Sequence, residues 1–265
     1  IGVAFEDVRV ITGDTDAMPY GGGTYGSRGA GIGGEAAWRA AITLRGQILE
    51  LAGVLLQADA QSLDIRDGVA VDADTGNERI TLAELGNIAF LRSYELPDDY
   101  HPTLVATERF RVRDYIFTNA AHAAYVEVDT DTGFLKVLKY WVVEDCGRVI
   151  NPLLVAEQQR GSVVTGLGDA LYEHCIYDAA GQLLNATMAD YLVPMSAEMP
   201  DIVVEHVMTP TSKTTLGAKG AGESGTAGAP QTILSAVNDA IRPFGGAISN
   251  VPVTPEDVLQ ALART

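Results

Sequence analysis

The sequence predicts an α+β fold, in which β-hairpins and a mixed sheet pack against long helices. Hairpin patterns occur over residues 62–80 and 123–145, and helical periodicity extends over 35–56 and 152–171. Strands and helices do not alternate regularly, as they do in βαβ folds. Of the 265 residues, 47% are hydrophobic and 20% are charged, so the chain has enough apolar surface for a sizeable core.

In the first half of the chain, four segments have clear patterns. Alternating apolar and charged residues over 5–12 predict a strand, and apolar residues at helical spacing over 35–56 predict a long, largely buried helix. Residues 62–80 fit a small hairpin that turns at Asp74-Thr75-Gly76-Asn77. Two prolines indicate an irregular segment over 94–102.

The second half begins with the clearest strand signal, an antiparallel hairpin over 123–145 with its turn at 129–133. Asn151-Pro152 predicts the start of a helix that ends near Leu171. The remaining predictions are a hairpin turning at Ala180-Gly181, a strand over 202–207, a helix over 231–241 that follows Pro230, and a last helix from Thr254-Pro255-Glu256 to about Ala263.

The net charge of -17 argues against several classes of partner. Such a chain repels nucleic-acid phosphates and anionic lipid, and the sequence has no compensating basic patch. No apolar run is long enough to span a bilayer. The two cysteines, Cys146 and Cys175, lack the spacing of a zinc site or an iron–sulfur cluster and make no disulfide framework. These features favour a cytoplasmic protein without a metal site of its own.

Glycine is concentrated in two segments: of the 28 glycines, eight lie in Gly21–Gly34 and five in Gly217–Gly228. We call these the first and second glycine segments. They lack the three-residue period of collagen and the serine of flexible linkers. Close approach of the backbone to a ligand is one explanation, and ordinary tight turns are the other.

The second glycine segment matches neither common nucleotide-binding motif. A Walker loop needs Ser or Thr after Lys219, where Gly220 stands, and in a dinucleotide fingerprint Glu223 would oppose the pyrophosphate. Glu223 between glycines is either a general base or a helix-capping residue on a solvated turn.

The first glycine segment offers backbone donors, hydroxyl groups and the Arg28 guanidinium. Residues 26–29 lead towards a predicted helix N-terminus, which is a favourable place for a phosphate or another anion. The alternative is a connector whose arginine pairs with a carboxylate.

Six segments resemble one family and occur in its order over nearly the whole chain. They are Gly13-Asp14-Thr15-Asp16 with Pro19-Tyr20-Gly21; Gly23-Thr24-Tyr25-Gly26-Ser27-Arg28; Asp145-Cys146-Gly147 with Ile150-Asn151-Pro152; Gly217-Ala218-Lys219-Gly220-x-Gly222-Glu223; Ala236-Val237-Asn238-Asp239-Ala240; and Thr254-Pro255-Glu256. The chain resembles the C-terminal half of the molybdopterin-binding subunit of the molybdenum hydroxylases, the family of xanthine dehydrogenase, aldehyde oxidase and carbon monoxide dehydrogenase.

The resemblance implies molybdenum-dependent hydroxylation, by water, of an aldehyde or an N-heterocycle. Glu223 occupies the position of the family's catalytic glutamate, a general base. The positions that the resemblance assigns to molybdopterin binding are Gly26, Ser27, Arg28, Gly29, Gln158, Lys219, Gly220 and Gly222. The helix that carries Gln158 departs from the family pattern at Glu157 and Ser162, where the family usually has glycine.

The family's first cofactor segment is expected upstream of Ile1, so the chain alone is not expected to enclose the cofactor. We therefore expect either a C-terminal fragment or one half of a split subunit, with a sub-boundary near residue 120. A companion segment would carry the N-terminal half, and partner chains the iron–sulfur clusters and FAD. Bacterial relatives commonly use the cytosine dinucleotide form of molybdopterin. A non-catalytic scaffold and an independent nucleotide-binding module are the alternative functions.

Overall fold

The computed structural model describes residues 1–18 and 20–263, which form two compact units. The first contains Ile1–Gly23 and Ile32–Arg111, and the second contains Thr24–Gly31 and Val112–Thr265. Each unit combines helices with a three-stranded sheet, which confirms the α+β prediction. No helix within the described residues is long and apolar enough to cross a membrane.

Helix α1, Glu35–Leu56, has the predicted bounds and belongs to the first unit. The π-helical turn Gly29–Gly34 precedes it, and the boundary between the units falls within this turn, after Gly31. Its second half is buried through Leu51 and Ala52, whereas Trp38 is 38% exposed. The prediction of a largely buried helix is therefore correct only for the second half. Gln57 ends α1 in the left-handed conformation, with φ at 51°.

The predicted hairpin over 62–80 is a three-stranded antiparallel sheet of β1 (Leu63–Arg66), β2 (Val69–Asp72) and β3 (Glu78–Thr81). The predicted turn joins β2 to β3, and Asp67-Gly68 makes a second turn between β1 and β2, with φ at 48° and 77°. The two left-handed residues explain the additional reversal.

Two features of the first unit differ from the sequence analysis. Residues 5–12 form no strand, because Phe5 and Val10 are 88% and 78% exposed and find no surface to cover. Helix α2, Leu82–Leu91, was not predicted. It begins where the Thr81 hydroxyl accepts a hydrogen bond from the Glu84 N–H at 3.2 Å, a capping signal present in the sequence. The irregular segment over 94–102 is confirmed, apart from the 3₁₀ turn Ser93–Glu95 at its start.

The second unit contains a sheet of β4 (Asn119–Val128), β5 (Leu135–Asp145) and β6 (Ile202–His206). β4 pairs with β5 in antiparallel orientation, and β6 pairs with β5 in parallel orientation. The predicted mixed sheet, hairpin and last strand are therefore confirmed. The turn between β4 and β5 is held by Asp129, whose carboxylate accepts N–H bonds within 129–133.

Helix α3, Pro152–Leu171, begins as predicted, with the Asn151 side chain accepting a hydrogen bond from the Leu154 N–H at 3.2 Å. The last predicted helix is also confirmed. It spans Pro255–Ala263 and is labelled α5, because one further helix, α4, precedes it in the chain. The hairpin at Ala180-Gly181 is reduced to one bridge between Tyr177 and Leu183.

Helix α4 is Ser224–Ile241, so the predicted start at Gln231 is wrong and Pro230 lies inside the helix. Pro230 cannot donate to the Thr226 carbonyl, which faces α3 at Gly166 instead; a Cβ on Gly166 would lie 2.9 Å from that oxygen. The first turns of α4 are fixed by contacts with α3 and tolerate the proline. The core of the unit lies between these helices and the sheet, where Tyr140, Leu167 and Ile233 are fully buried.

Candidate functional site

The end of β5 pairs with the second glycine segment. The Lys219 N–H donates to the Cys146 carbonyl at 2.7 Å, and the Arg148 N–H donates to the Gly217 carbonyl at 3.0 Å. Gly147 has φ at +71°, and a Cβ there would lie 2.3 Å from the Gly217 carbonyl oxygen. Glycine is therefore required at this crossing, which brings two distant sequence motifs together.

Asp145 fixes the beginning of the second glycine segment through a buried ion pair. Its carboxylate lies 3.0 Å from the Lys219 ammonium, and the two side chains are 12% and 9% exposed. Thr209 donates to the same carboxylate through its N–H, at 3.1 Å, and through its hydroxyl. Burial alone would raise the pKa of Asp145, but the hydrogen bonds from Thr209 and Lys219 outweigh it and hold that pKa below its ordinary value.

Glu144, the preceding residue, lies in a different environment at the other end of the segment. Its side chain is fully buried and accepts hydrogen bonds from the Gln159 amide and from the Ser224 hydroxyl, the latter at 3.3 Å. Burial raises the pKa of Glu144, although hydrogen bonds from the Cys146 thiol and the Ser224 hydroxyl and the nearby His206 oppose the shift. Gln159 also donates to the Ala221 carbonyl, so one buried cluster connects β5, α3 and the start of α4.

Ser27 of the first glycine segment lies directly against the second. A Cβ on Gly220 would lie 2.7 Å from the Ser27 Cβ, and one on Gly222 would lie 3.3 Å from the Ser27 Oγ. The same Cβ on Gly222 would lie 3.2 Å from the Gln158 Nε2. The Ser27 Oγ is buried and has no hydrogen-bond partner, which is unusual for a hydroxyl.

These residues line a cleft of about 340 Å³ that lies wholly within the second unit. Its walls come from the first glycine segment, the start of α3 and the second glycine segment: Thr24, Ser27, Gly29, Ala30, Ile150, Asn151, Leu154, Val155, Gln158, Lys219, Ala221 and Gly222. Glycines here let backbone N–H groups reach a ligand, and the unpartnered Ser27 hydroxyl supplies a side-chain contact.

The structure thus brings together five of the predicted site residues, namely Ser27, Gly29, Gln158, Lys219 and Gly222, around one cleft, with Gly220 packed against Ser27. Lys219 directs its ammonium at Asp145. Gly26 and Arg28 do not line the cleft; the Arg28 guanidinium lies 3.8 Å from the Tyr25 ring centre and donates to the Tyr25 hydroxyl. Their roles in cofactor binding stay predictions.

Glu223 is exposed and directly follows Gly222. It occupies the N-cap position of α4, where its backbone carbonyl accepts the first helical bond, from the Ala227 N–H at 3.0 Å. Its side chain makes no capping hydrogen bond. The carboxylate is therefore at a helix N-cap, as the capping alternative expects, but is not used as a cap.

Sequence reasoning missed Glu144, Gln159 and Ser224. One signal was available for Glu144, because Tyr140 and Val142 mark the buried face of β5 and Glu144 continues the same alternation. A carboxyl group on a buried face predicts a polar partner. No comparable signal separates Gln159 from Gln158.

A cleft with glycine-rich backbone on two sides and a buried hydroxyl without a partner has the features of a small-molecule binding site. The comparisons with known proteins agree. Residues 1–200 match the family model described as molybdopterin cofactor-binding domain. The chain is 38% identical to the large subunit of nicotine 6-hydroxylase from Paenarthrobacter nicotinovorans, over 98% of this chain and 32% of that subunit. It is 31% identical to the carbon monoxide dehydrogenase large chain from Hydrogenophaga pseudoflava, over 99% of this chain and 32% of that one.

Solved structures give the same result. Quinoline 2-oxidoreductase from Pseudomonas putida 86 superimposes with a TM-score of 0.84 at 38% identity, over 92% of this chain and 31% of that chain. The Cu,Mo-containing CO dehydrogenase has a TM-score of 0.84 at 26% identity. The chain belongs to the molybdopterin cofactor-binding domain family of the molybdenum-containing oxidoreductases. It spans about a third of the length of the relatives that it matches.

Proposed function

We propose that this chain supplies one wall of a molybdopterin site and the general base for hydroxylation of an N-heterocycle by water. The observation that carries the proposal is the contact of Ser27 with Gly220 and Gly222, immediately before Glu223 in the chain. The cleft beside these residues has the chemistry that a pterin needs, namely backbone donors, a free hydroxyl and the Gln158 amide.

When bound, the molybdenum cofactor would supply the two-electron redox chemistry that hydroxylation of the substrate carbon requires. Glu223 takes a proton from the attacking water, and an exposed carboxylate without a capping bond is available for this. Ser27 and Gln158 would hold the pterin through their side chains, and Gly220 and Gly222 through their backbone. Lys219 would contribute indirectly, since its ammonium is committed to Asp145.

The names of the relatives favour an N-heterocycle over an aldehyde as substrate. Both relatives at 38% identity are named for the oxidation of nitrogen-containing aromatic compounds, nicotine and quinoline. The carbon monoxide dehydrogenases are less similar, at 31% and 26%. We propose a bicyclic or substituted pyridine-type substrate on this basis.

The proposal includes partners. Relatives are named as a large subunit or large chain, which supports an assembly in which other chains carry iron–sulfur clusters and FAD. The N-terminal half of the cofactor site would come from a further segment or chain. Both cysteines are free in the structure, which supports a cytoplasmic location, and the cytosine dinucleotide form is the proposed cofactor.

The decisive experiment replaces Glu223 in the assembled enzyme. Glu223→Gln should retain molybdenum and pterin but lose turnover of the N-heterocycle, because an amide cannot accept the proton. Glu205→Gln, at an exposed position on β6, makes the same charge change and should behave like the parent enzyme. Turnover near the parent value in Glu223→Gln would exclude the general-base assignment.

Metal and pterin analysis of the purified assembly tests the first half of the proposal separately. Stoichiometric molybdenum and pterin are expected. An assembly that contains neither would support a scaffold function instead.

A further inference from the structure

We infer that Glu144, Gln159 and Ser224 form a positioning cluster that fixes Glu223 for the reaction. The inference rests on the proposed function, because it assigns the cluster a role in orienting the proposed base. None of the three side chains lines the cleft; all lie beneath the turn Ala221–Ser224.

The hydrogen bonds of the cluster close on both sides of Glu223. The Gln159 Nε2 lies within hydrogen-bond distance of the Ala221 carbonyl, two residues before Glu223, and of the Ser224 Oγ, one residue after it, at 2.8 Å. Its two N–H groups are shared among these oxygens and the Glu144 carboxyl. The Ser224 hydroxyl also lies 3.2 Å from the Ala221 carbonyl. The backbone on each side of Gly222-Glu223 is therefore held by one buried amide.

Two acceptors hold that amide in its orientation. A glutamine side chain can present either its oxygen or its nitrogen, but the Ala221 carbonyl can only accept, so the nitrogen faces it and the Glu144 carboxyl. Gln159 and Glu144 are 0% and 1% exposed, so water does not compete for these bonds. The second carboxyl oxygen of Glu144 lies 3.4 Å from the His206 Nδ1.

The free-energy cost of burying the Glu144 carboxyl group distinguishes this cluster from ordinary packing. A buried carboxyl group often costs stability compared with an apolar side chain of similar volume, and the role that we assign to Glu144 is conformational specificity. Here the gain is a single conformation for the turn Ala221–Ser224, which contains Gly222 and the exposed Glu223. A displacement of about 1 Å in a catalytic group costs roughly 100-fold in rate.

The test compares Gln159→Leu with Asn238→Leu in the assembled enzyme. Asn238 is matched because its side-chain amide also clamps backbone, accepting from the Ile248 N–H and donating to the Ile248 carbonyl, both at 2.8 Å. It lies near the opposite end of α4. Both variants lose comparable bonds, but only Gln159→Leu releases the turn that carries Glu223.

Three readouts are taken: kcat per bound molybdenum, the pH profile of kcat, and hydrogen exchange of the Ala227 amide, which closes the first turn of α4 on Glu223. Gln159→Leu should lower kcat per molybdenum about 10- to 100-fold, alter the pH profile and accelerate exchange at Ala227. Asn238→Leu should leave all three at the parent values. Glu144→Gln retains an acceptor oxygen and should keep more activity than Glu144→Leu.

The first case is that Glu223→Gln is inactive in the same assembly. An unchanged kcat per molybdenum and an unchanged pH profile in Gln159→Leu would then overturn the inference, because Glu223 would act as the base without the positioning cluster. If Glu223→Gln is active, the proposed function fails. Hydrogen exchange then decides on the positioning cluster alone: faster exchange at Ala227 in Gln159→Leu than in Asn238→Leu supports it, and equal exchange overturns it. Should Gln159→Leu fail to assemble, Ser224→Ala removes only the hydroxyl bonds and is judged by the same criteria.

Discussion

The two ends of the Gly217–Ser224 segment are both held by carboxyl groups of β5, but by opposite chemistry. At the first end, Asp145 forms a charged pair with Lys219 and accepts further bonds from Thr209. At the second end, the fully buried Glu144 accepts from an amide and a hydroxyl, and the His206 Nδ1 lies 3.4 Å from its other oxygen. Successive side chains of a strand point to opposite faces, so two neighbouring residues can serve two separate sites.

The difference between the two ends shows how the surroundings of a buried carboxyl group determine the direction of its pKa shift. Where a cation and several N–H or O–H donors converge, as at Asp145, the ionised form is favoured and the pKa falls. Where complete burial outweighs the hydrogen bonds and the nearby imidazole, as at Glu144, the protonated form is favoured and the pKa rises. The first end is fixed by charge and the second by hydrogen-bond geometry.

The largest expected effect is at the charged end. Lys219→Met leaves Asp145 buried without its cation and should lower the free energy of local unfolding by about 3–5 kcal/mol. Hydrogen exchange at the residue 219 amide, which donates to the Cys146 carbonyl, measures this. Lys213→Met is the matched control: its pair with Asp114 is 50% and 58% exposed, and its loss should cost less than about 1 kcal/mol. Equal losses would contradict the distinction between buried and exposed pairs.

A smaller effect is expected between the two ends. If both anchors hold the segment rigidly, Gly220→Ala forces a contact of 2.7 Å with the Ser27 Cβ and should lower stability by about 1–3 kcal/mol. Gly222→Ala meets only side-chain ends at 3.2 and 3.3 Å and should cost less. Thermal unfolding and pterin content measure the two variants. Equal unfolding temperatures for both variants would show that the segment shifts to absorb the methyl group.

The contributions of Glu144 and Asp145 to stability should change with pH in opposite directions. Glu144 has a raised pKa in the folded state, so its contribution is present below the ordinary value of 4.5 and is lost as pH rises through the raised pKa. Asp145 has a lowered pKa, so its contribution is present above the ordinary value of 3.8 and is lost only as pH falls towards the lowered pKa. Protection of the Ala227 amide, corrected for intrinsic exchange, should therefore decrease with rising pH, and Glu144→Gln should flatten that dependence. Protection that increases with pH would contradict the assignment.

The smallest effect on stability is expected at Ser27. Its hydroxyl has no partner, so Ser27→Ala should change the free energy of unfolding by less than about 0.5 kcal/mol. Pterin retention after gel filtration should nevertheless fall. Full retention would remove Ser27 from the proposed binding site.

Local patterns predicted much of the fold because they reflect short-range physics. The bounds of α1 follow from periodicity, and the start of α3 follows from an asparagine cap and a proline. Residues 5–12 have a strand pattern without a partner surface, and α4 extends through Pro230 because contacts with α3 fix its first turns. Those outcomes depend on tertiary contacts that no local pattern contains.

The candidate site was predictable in its residues but not in its connections. The resemblance selected Ser27, Gln158 and Gly222, which do lie around one cleft. It did not predict that Lys219 would bind Asp145, because that pair joins positions 74 residues apart. Gln159 was missed because its neighbour matched the family pattern, and only the packing of α3 determines which of the two glutamines is buried.

The crossing of α3 and α4 has a consequence for thermal motion. A Cβ on Gly225 would lie 2.0 Å from the Ser162 Oγ, and one on Gly166 would lie 2.7 Å from the Ala229 Cβ, so the helices meet at backbone distance. Helices interlocked in this way fluctuate together rather than slide. Gln158 on α3 and Glu223 at the N-cap of α4 are therefore carried by one tightly packed pair of helices.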